Sequence, residues 1–378
     1  MTWASTCFTR ALQLRYPIVQ APCAGHTTVD LVAAVSNYGG LGSLGAATMS
    51  ADTLRQSIRS IREKTCHPFA VNIFCRPDPP VTHTMLQQQY EADKELAAIR
   101  AQLHLSEPEQ YTLRSPPLDD QIAVILEEKV KIVSFTFGTL PPKLLDQLWE
   151  AGVYTIGTAT TVNEALFLAG LESGSTRRQA HCIVAQGLQA GGHRGTFLNA
   201  PDEQQSTLQL VRSIKEAFAK YPDAIPVPIL AAGGLSNGAQ VYEALNKAQA
   251  DGVVLGTLFM LSKDSSTPDA HRRVLLESQE KTKLTRSLTG RFARGYPNAF
   301  MNRMETVPDD GIPCYDIHSS KTKDIVTYAT QHGMADYMLL WSGSNALDAA
   351  SFTNQATLSA TEVMDKLVQE VNTLDDTK

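Results

Sequence analysis

Short apolar runs recur along this chain, each closed by glycine or a polar turn and followed by a stretch with helical spacing. Pro17 to Pro22 comes first, ahead of Val29 to Val35; Gly40 to Gly45 follows and leads through Ser50 into Leu54 to Ile58. Phe69 to Ile73 is the third run. Lys131 to Phe137 precedes Leu144 to Leu148, and Val153 to Gly157 precedes Val162 to Leu166. His181 to Ala185 stands before Ser206 to Phe218, Pro228 to Ala232 before Ala239 to Ala248, and Gly252 to Gly256 is the eighth. Glycine-bounded strands that alternate with helices predict parallel pairing through βα crossovers. Eight such units predict an α/β fold of the (β/α)8 TIM-barrel type, with its active site on the loops after the strands. A doubly wound open sheet is the competitor. It is disfavoured because Ala21-Pro22-Cys23-Ala24-Gly25 stands where a G-x-G-x-x-G would follow the first strand.

Two segments fall outside the repeat. Cys75 to Val130 is too long for one crossover; it holds a proline-rich turn (Pro77 to Pro80), a polar helix-like run from Met85 to Leu105, and Pro116-Pro117 before Ile122 to Glu127. The chain after Leu261 is mostly helix-like and ends in Ala360 to Val371. The expected organisation is a barrel over 10–265 with a helical insertion at about 76–128, and a small, mainly helical second domain over 266–378 that caps the barrel mouth.

The composition is that of an ordinary globular protein, 43% hydrophobic and 19% charged over 378 residues. A net charge of −6 gives no footprint for nucleic acid. The most basic stretch, Lys281 to Arg294, interleaves Leu284, Leu288 and Phe292 and reads as a half-buried loop or helix. Six scattered cysteines without a C-x-x-C pair indicate reduced thiols and a cytoplasmic setting. The arginines of Met1 to Arg15 give a mitochondrial leader as the weaker reading. No apolar run is long enough to cross a membrane. The oligomeric state is left open.

The densest chemistry lies in Ala185 to Phe197, where Gly187, Gly191, Gly192 and Gly195 surround His193. Such a loop approaches a ligand closely and offers bare amides to an anion, while His193 is suited to exchanging a proton near neutral pH. On a barrel, this loop meets the other strand ends: Ala21-Pro22-Cys23, Asn72, Ser134, Gln186, Gly233-Gly234 and Gly256-Thr257. Glycines after the seventh and eighth strands mark the usual phosphate site of such barrels. None of these anchors is Asp or Glu, which argues against Mg²⁺ sugar-phosphate chemistry and glycoside hydrolysis. Asn72 and Gln186 offer uncharged hydrogen bonds that suit the edge or ribityl chain of a flavin. Cys23 reads as packing, with no adjacent base to activate it. His26 could face the mouth; His181 belongs at the barrel bottom; His67, His83, His104, His271, His318 and His332 read as surface or packing residues. No histidines stand at metal-ligand spacing, so no metal is expected.

Pro17 to Pro22 with Gly39-Gly40-Leu41-Gly42 and Val71-Asn72 resembles the opening of the nitronate monooxygenases, formerly called 2-nitropropane dioxygenases. Ala185-Gln186-Gly187 with Ala190-Gly191-Gly192-His193-Arg194-Gly195 resembles that family's most diagnostic segment, and Ala231 to Gly234 and Leu255 to Thr257 are similar too. The likeness runs from about Tyr16 to Phe259; the excursion after the third strand and the helical tail look most like the fungal, class I branch. The resemblance implies an FMN-dependent barrel that oxidises alkyl nitronates with O₂ to carbonyl compounds and nitrite. By resemblance His193 is the catalytic base for neutral nitroalkanes, and Ala21, Pro22, Cys23, Asn72, Gln186, Gly191, Gly192, Gly233, Gly234, Leu255, Gly256 and Thr257 hold FMN. The chain departs from many relatives at Cys23, where they have methionine, and at Trp341 to Ser344, where they have Gly-Gln. The rival readings are an FMN-dependent enoyl-ACP or NAD(P)H:quinone reductase and a flavin-binding protein without turnover.

Overall fold

The computed structural model describes residues 3–77, 79–171, 177–198 and 204–377. Eight strands form one parallel sheet: β1 (Ile18–Gln20), β2 (Gly42–Gly45), β3 (Phe69–Phe74), β4 (Ile132–Thr136), β5 (Tyr154–Ala159), β6 (Cys182–Gln186), and, after the two-residue β7 (Gly192–His193), β8 (Ile229–Ala232) and β9 (Gly252–Leu255). Each pairs in parallel with its neighbour in the order β1-β9-β8-β6-β5-β4-β3-β2. Leu41, just before β2, closes the ring: its N–H donates to the Ile18 carbonyl at 2.9 Å and its carbonyl accepts the Gln20 N–H at 3.0 Å. The fold is therefore a (β/α)8 barrel, as the alternation of runs predicts.

Alternation along the strands divides the apolar residues into two cores. Val19, Leu41, Ala70, Ile132, Ile156, Cys182, Leu230 and Val254 point inward and fill the barrel, as closure with side-chain layers requires. Phe8 and Leu12, on the helix Cys7–Leu12, join that inner cluster. The opposite face of each strand packs against the helices. Helix Ala360–Asp376 buries Val363, Met364, Leu367, Val368 and Val371 against helices Val29–Tyr38 and Gly238–Asn246. It starts on a capping box in which Ser359 and Glu362 satisfy each other's backbone N–H groups.

The segment after β3 carries the helices His83–Gln87 and Ala92–Gln102 away from the barrel, and helix Leu118–Glu127 brings the chain back against β3 and helix Ala51–Lys64. The excursion is tied to the C-terminal part by buried charge. Lys321 Nζ lies 2.6 Å from Asp93 Oδ2 and donates to the Gln88 carbonyl at 2.8 Å. Arg100 donates to Asp324 at 2.7 and 3.1 Å.

Between Lys281 and Arg294 the structure differs from the expected loop or helix. Lys283–Thr285 (β10) and Ala293–Gly295 (β11) form an antiparallel pair, and β11 also pairs with β7. The cause is tertiary: β7 offers an edge that β11 completes, a partner about a hundred residues away along the chain.

Asp93→Ala should lower the unfolding free energy by roughly 3–5 kcal/mol in urea denaturation, because it leaves the fully buried Lys321 ammonium without its counter-charge. Adding Lys321→Met should recover most of that loss.

Candidate active site

The strand ends converge on one cavity of about 560 Å³, within the roughly 300–1,000 Å³ range of small-molecule sites. Of the residues singled out from the sequence, Ala21, Pro22, Cys23, Asn72, Gln186, Gly191, Gly192, His193, Gly233, Gly234, Gly256 and Thr257 line it. Leu255 does not. Its side chain is buried on the helix-facing side of β9, and it reaches the site only through its carbonyl, which accepts the Ala21 N–H at 2.9 Å.

After β6 the chain turns back sharply over the mouth, and four side chains hold it there. Gln186 Nε2 donates to the His193 carbonyl at 2.9 Å while its Oε1 accepts the Gly195 N–H at 2.8 Å. Arg194 donates to the Gln186 and Gly187 carbonyls at 3.0 and 2.7 Å. Glu164, wholly buried, accepts the backbone N–H groups of Phe197 and Leu198 at 2.5 and 3.0 Å. Arg291 donates to the carbonyls of Arg194, at 3.0 Å, and Thr196. The Gln186 amide, expected to serve a flavin, is thus largely spent on shaping the loop.

The result fixes His193. Its Nε2 lies 2.9 Å from the Thr289 hydroxyl, which itself reaches the Arg291 carbonyl at 3.3 Å. When the Thr289 proton goes to the Arg291 carbonyl, its oxygen accepts Nε2–H. That leaves Nδ1 with its lone pair, and among the described residues it meets no hydrogen-bond partner. Aromatic edges surround the ring: Tyr315 at 5.1 Å, Trp341 at 5.4 Å, Phe137 at 5.8 Å and Phe74 at 6.4 Å between centroids. Phe137 adopts φ 75°, costly for a bulky side chain. It is held there by contact with Phe74 and by the Arg291 guanidinium, 3.9 Å from its ring centre.

Beside this loop, at the end of the neighbouring β8, Gly233 and Gly234 turn with φ 124° and 68°. Their N–H groups, and that of Gly256, donate to no protein atom among the described residues. A Cβ at Gly234 would lie 2.7 Å from Gln189 Cβ. The segment Trp341 to Asn345 is stitched across this face: the Gly343 N–H donates to Thr257 Oγ1 at 2.9 Å, the Ser344 N–H to the Gln189 carbonyl at 3.1 Å, and Asn345 Nδ2 to the Gly234 carbonyl at 2.7 Å. Asn72 donates to Ser134 Oγ at 2.9 Å.

Among the described residues, no Asp or Glu lines the cavity. Burial pushes the Cys23 thiol up to about 12, so it stays neutral and packs. Burial, then the charges of Arg291 and Arg114, bring His193 down to about 3. The lining also includes His26 and His271, stacked edge to face at 5.1 Å. Burial and then Arg272 lower His26 to about 4; burial and then His26 lower His271 to about 3. Sequence reasoning placed His271 outside the site and missed Thr289, Tyr315, Trp341, Phe74 and Arg114. Thr289, Tyr315, Trp341 and Arg114 arrive from segments outside the strand ends, and only Phe74, the last residue of β3, could have been traced to the strand-end pattern.

Three histidines held below their unfolded value of about 6.5 contribute stability above pH 6.5, and that stability is lost as pH falls through 6.5 toward 3–4. The urea midpoint should drop steadily between pH 6.5 and 4.5, and His271→Asn should flatten that dependence.

A nitronate monooxygenase family model matches residues 5–370 of the chain. A probable nitronate monooxygenase from Staphylococcus aureus (strain JH9) is 33% identical over 375 residues, 98% of both chains. Nitroalkane oxidase from Streptomyces ansochromogenes superposes with a TM-score of 0.81 at 31% identity, covering 98% of this chain and 99% of that one. FabK from Thermotoga maritima shares the fold alone, with a TM-score of 0.73 at 23% identity over 99% of this chain and 98% of that one. With its glycine loops and His193 brought to one cavity and its whole length matched, this chain belongs to the nitronate monooxygenase family.

Proposed function

We propose that the protein is an FMN-dependent nitronate monooxygenase, converting alkyl nitronates, and neutral nitroalkanes with His193 as base, to carbonyl compounds and nitrite with O₂. The observation that carries this reading is the pairing, in one cavity, of the His193 imidazole, its Nδ1 unpartnered among the described residues, with three unengaged glycine amides on the adjoining strand ends. The cavity fits FMN. The amides of Gly233, Gly234 and Gly256 would take the phosphate, a group that bare backbone N–H donors suit, and a Cβ at Gly233 or Gly234 would strike Ala190 or Gln189 of the neighbouring loop. Asn72, Ala21, Pro22 and Cys23 would border the ring system, with Gly191, Gly192 and Thr257 between. When bound, FMN supplies the acceptor for the substrate's electrons and their passage to O₂.

The chain's own residues handle the proton and the charge. A nitroalkane with its α-carbon toward His193 loses that proton to Nδ1, and the electron pair moves onto the nitro group to give the nitronate. The imidazolium then offsets the anion it has made. Thr289 keeps Nε2 as the donor nitrogen throughout, so the same ring atom always faces the substrate. The aromatic wall of Phe74, Phe137, Tyr315 and Trp341 excludes water from this step. A preformed nitronate bypasses it.

The relatives named above are bacterial, so the fungal-type likeness rests on the excursion after β3 and the tail alone. All six cysteines are unpaired, which suits a reducing compartment such as the cytoplasm.

His193→Asn should lower turnover of neutral nitroethane by roughly 10²–10⁴-fold, the worth of a positioned base, while oxidation of preformed ethylnitronate falls far less. Equal losses on the two substrates with FMN retained would assign His193 to anion binding or pocket shape instead.

A further inference from the structure

Among the described residues, one arginine and no lysine or carboxylate lines the cavity: Arg114, from the segment that returns from the excursion after β3. It is half-buried, and its guanidinium makes no hydrogen bond or ion pair among the described residues. The neighbouring arginines are committed elsewhere. Arg76 donates to the Ala47 and Pro116 carbonyls, and Arg291 to the carbonyls of Arg194 and Thr196. The buried carboxylate Asp316 lies in the field of those two. The backbone that carries Arg114 is pinned on both sides: its own N–H donates to Ser320 Oγ at 2.9 Å, and the Pro116 carbonyl accepts from Arg76 at 3.2 Å. Its charge reaches the two rings that meet at the reacting end, lowering the proton affinity of both His193 and Tyr315.

A half-buried guanidinium beside a largely apolar wall, with no carboxylate partner among the described residues, is free to pair with an anion from outside. Its fork of N–H donors matches a planar group with two oxygens. The neutral His193 supplies no positive charge before proton transfer, so Arg114 is the cation available to an arriving anion.

We propose that Arg114 is the residue by which this cavity selects the anionic form of its substrate, pairing side-on with a planar two-oxygen anion: the nitronate group itself or a carboxylate on the same molecule. This rests on the nitronate-oxidising function proposed above. Arg114 touches the substrate's charge and takes no proton; its contribution is to binding and orientation, so it acts on KM more than on kcat. Its place on the insertion rather than on a barrel strand makes that excursion the source of substrate selection.

The test compares wild type, Arg114→Met and Arg114→Lys as full-length proteins with equal FMN content, using ethylnitronate, the nitronate of 3-nitropropanoate, and neutral nitroethane. Arg114→Met should raise KM for nitronate roughly 10–100-fold, the worth of a lost charged hydrogen-bond pair, with kcat within about threefold, and Arg114→Lys should restore part of it. KM for nitroethane should stay within about threefold. Loss on both nitronates assigns the pair to the nitronate oxygens; loss on the carboxylated one alone assigns it to the carboxylate. Equal change on all three substrates, or none on either nitronate, overturns the proposal. A second readout needs no turnover: nitrate, a planar oxyanion, should quench the fluorescence of Trp341, which lines the cavity, and Arg114→Met should weaken that binding at least tenfold. Equal nitrate binding by wild type and Arg114→Met also overturns it. Arginine-dependent nitrate binding in a protein that oxidises no nitronate would remove the functional reading and leave the anion site standing.

Discussion

The site depends on a reversal of the chain at the end of β6. A backbone that leaves a barrel strand and doubles back over the mouth carries peptide groups out of the sheet and away from water, and each needs a partner. Gln186, Arg194, Glu164 and Arg291 supply those partners from inside the fold. Three of these clasps are charged groups binding backbone amides or carbonyls, stronger than neutral pairs and stronger still at low local dielectric. The reversed segment thereby becomes rigid enough to serve as a strand edge, and β11 docks on it. That docking delivers Thr289 to His193. Orientation of the imidazole is thus the end of a chain of hydrogen bonds that begins at the base of the loop.

Charge in the cavity follows the same plan. Among the described residues carboxylates are kept out of the lining, and Glu164 is turned toward the loop's backbone N–H groups. Positive charge is divided between arginines that hold carbonyls and one whose guanidinium holds no partner among the described residues. With the thiol of Cys23 and three imidazoles neutral by burial, the cavity presents a field that favours an anion arriving or forming near Nδ1. The glycine amides at the ends of β8 and β9 add directed donors without adding a formal charge.

The barrel was legible because each strand carries its own signal: an apolar run, a glycine stop, a helical stretch after it. Strand-end position then carried twelve of the selected residues to one cavity. Leu255 fell outside because strand alternation turns it toward the helices, a parity the glycine motif around it conceals. Gln186 reached the cavity, yet its amide answers to Gly195 and the His193 carbonyl, a demand created by the loop's path rather than by local spacing. β10 and β11 are three residues each, too short for a period to register. Thr289, Tyr315 and Trp341 gain meaning only through contacts with His193 across about a hundred residues or more of chain. His271 looked like a packing residue because helical spacing says nothing about which end of a barrel a distant helix covers.

The most direct test is the visible spectrum of the purified protein, followed without oxygen as ethylnitronate is added. The account predicts a yellow protein that releases FMN on denaturation, loses its visible absorbance with ethylnitronate, and keeps it when NADPH is added instead. A protein that takes up no FMN would contradict the cofactor site, and a flavin that NADPH bleaches but ethylnitronate leaves intact would contradict nitronate oxidation.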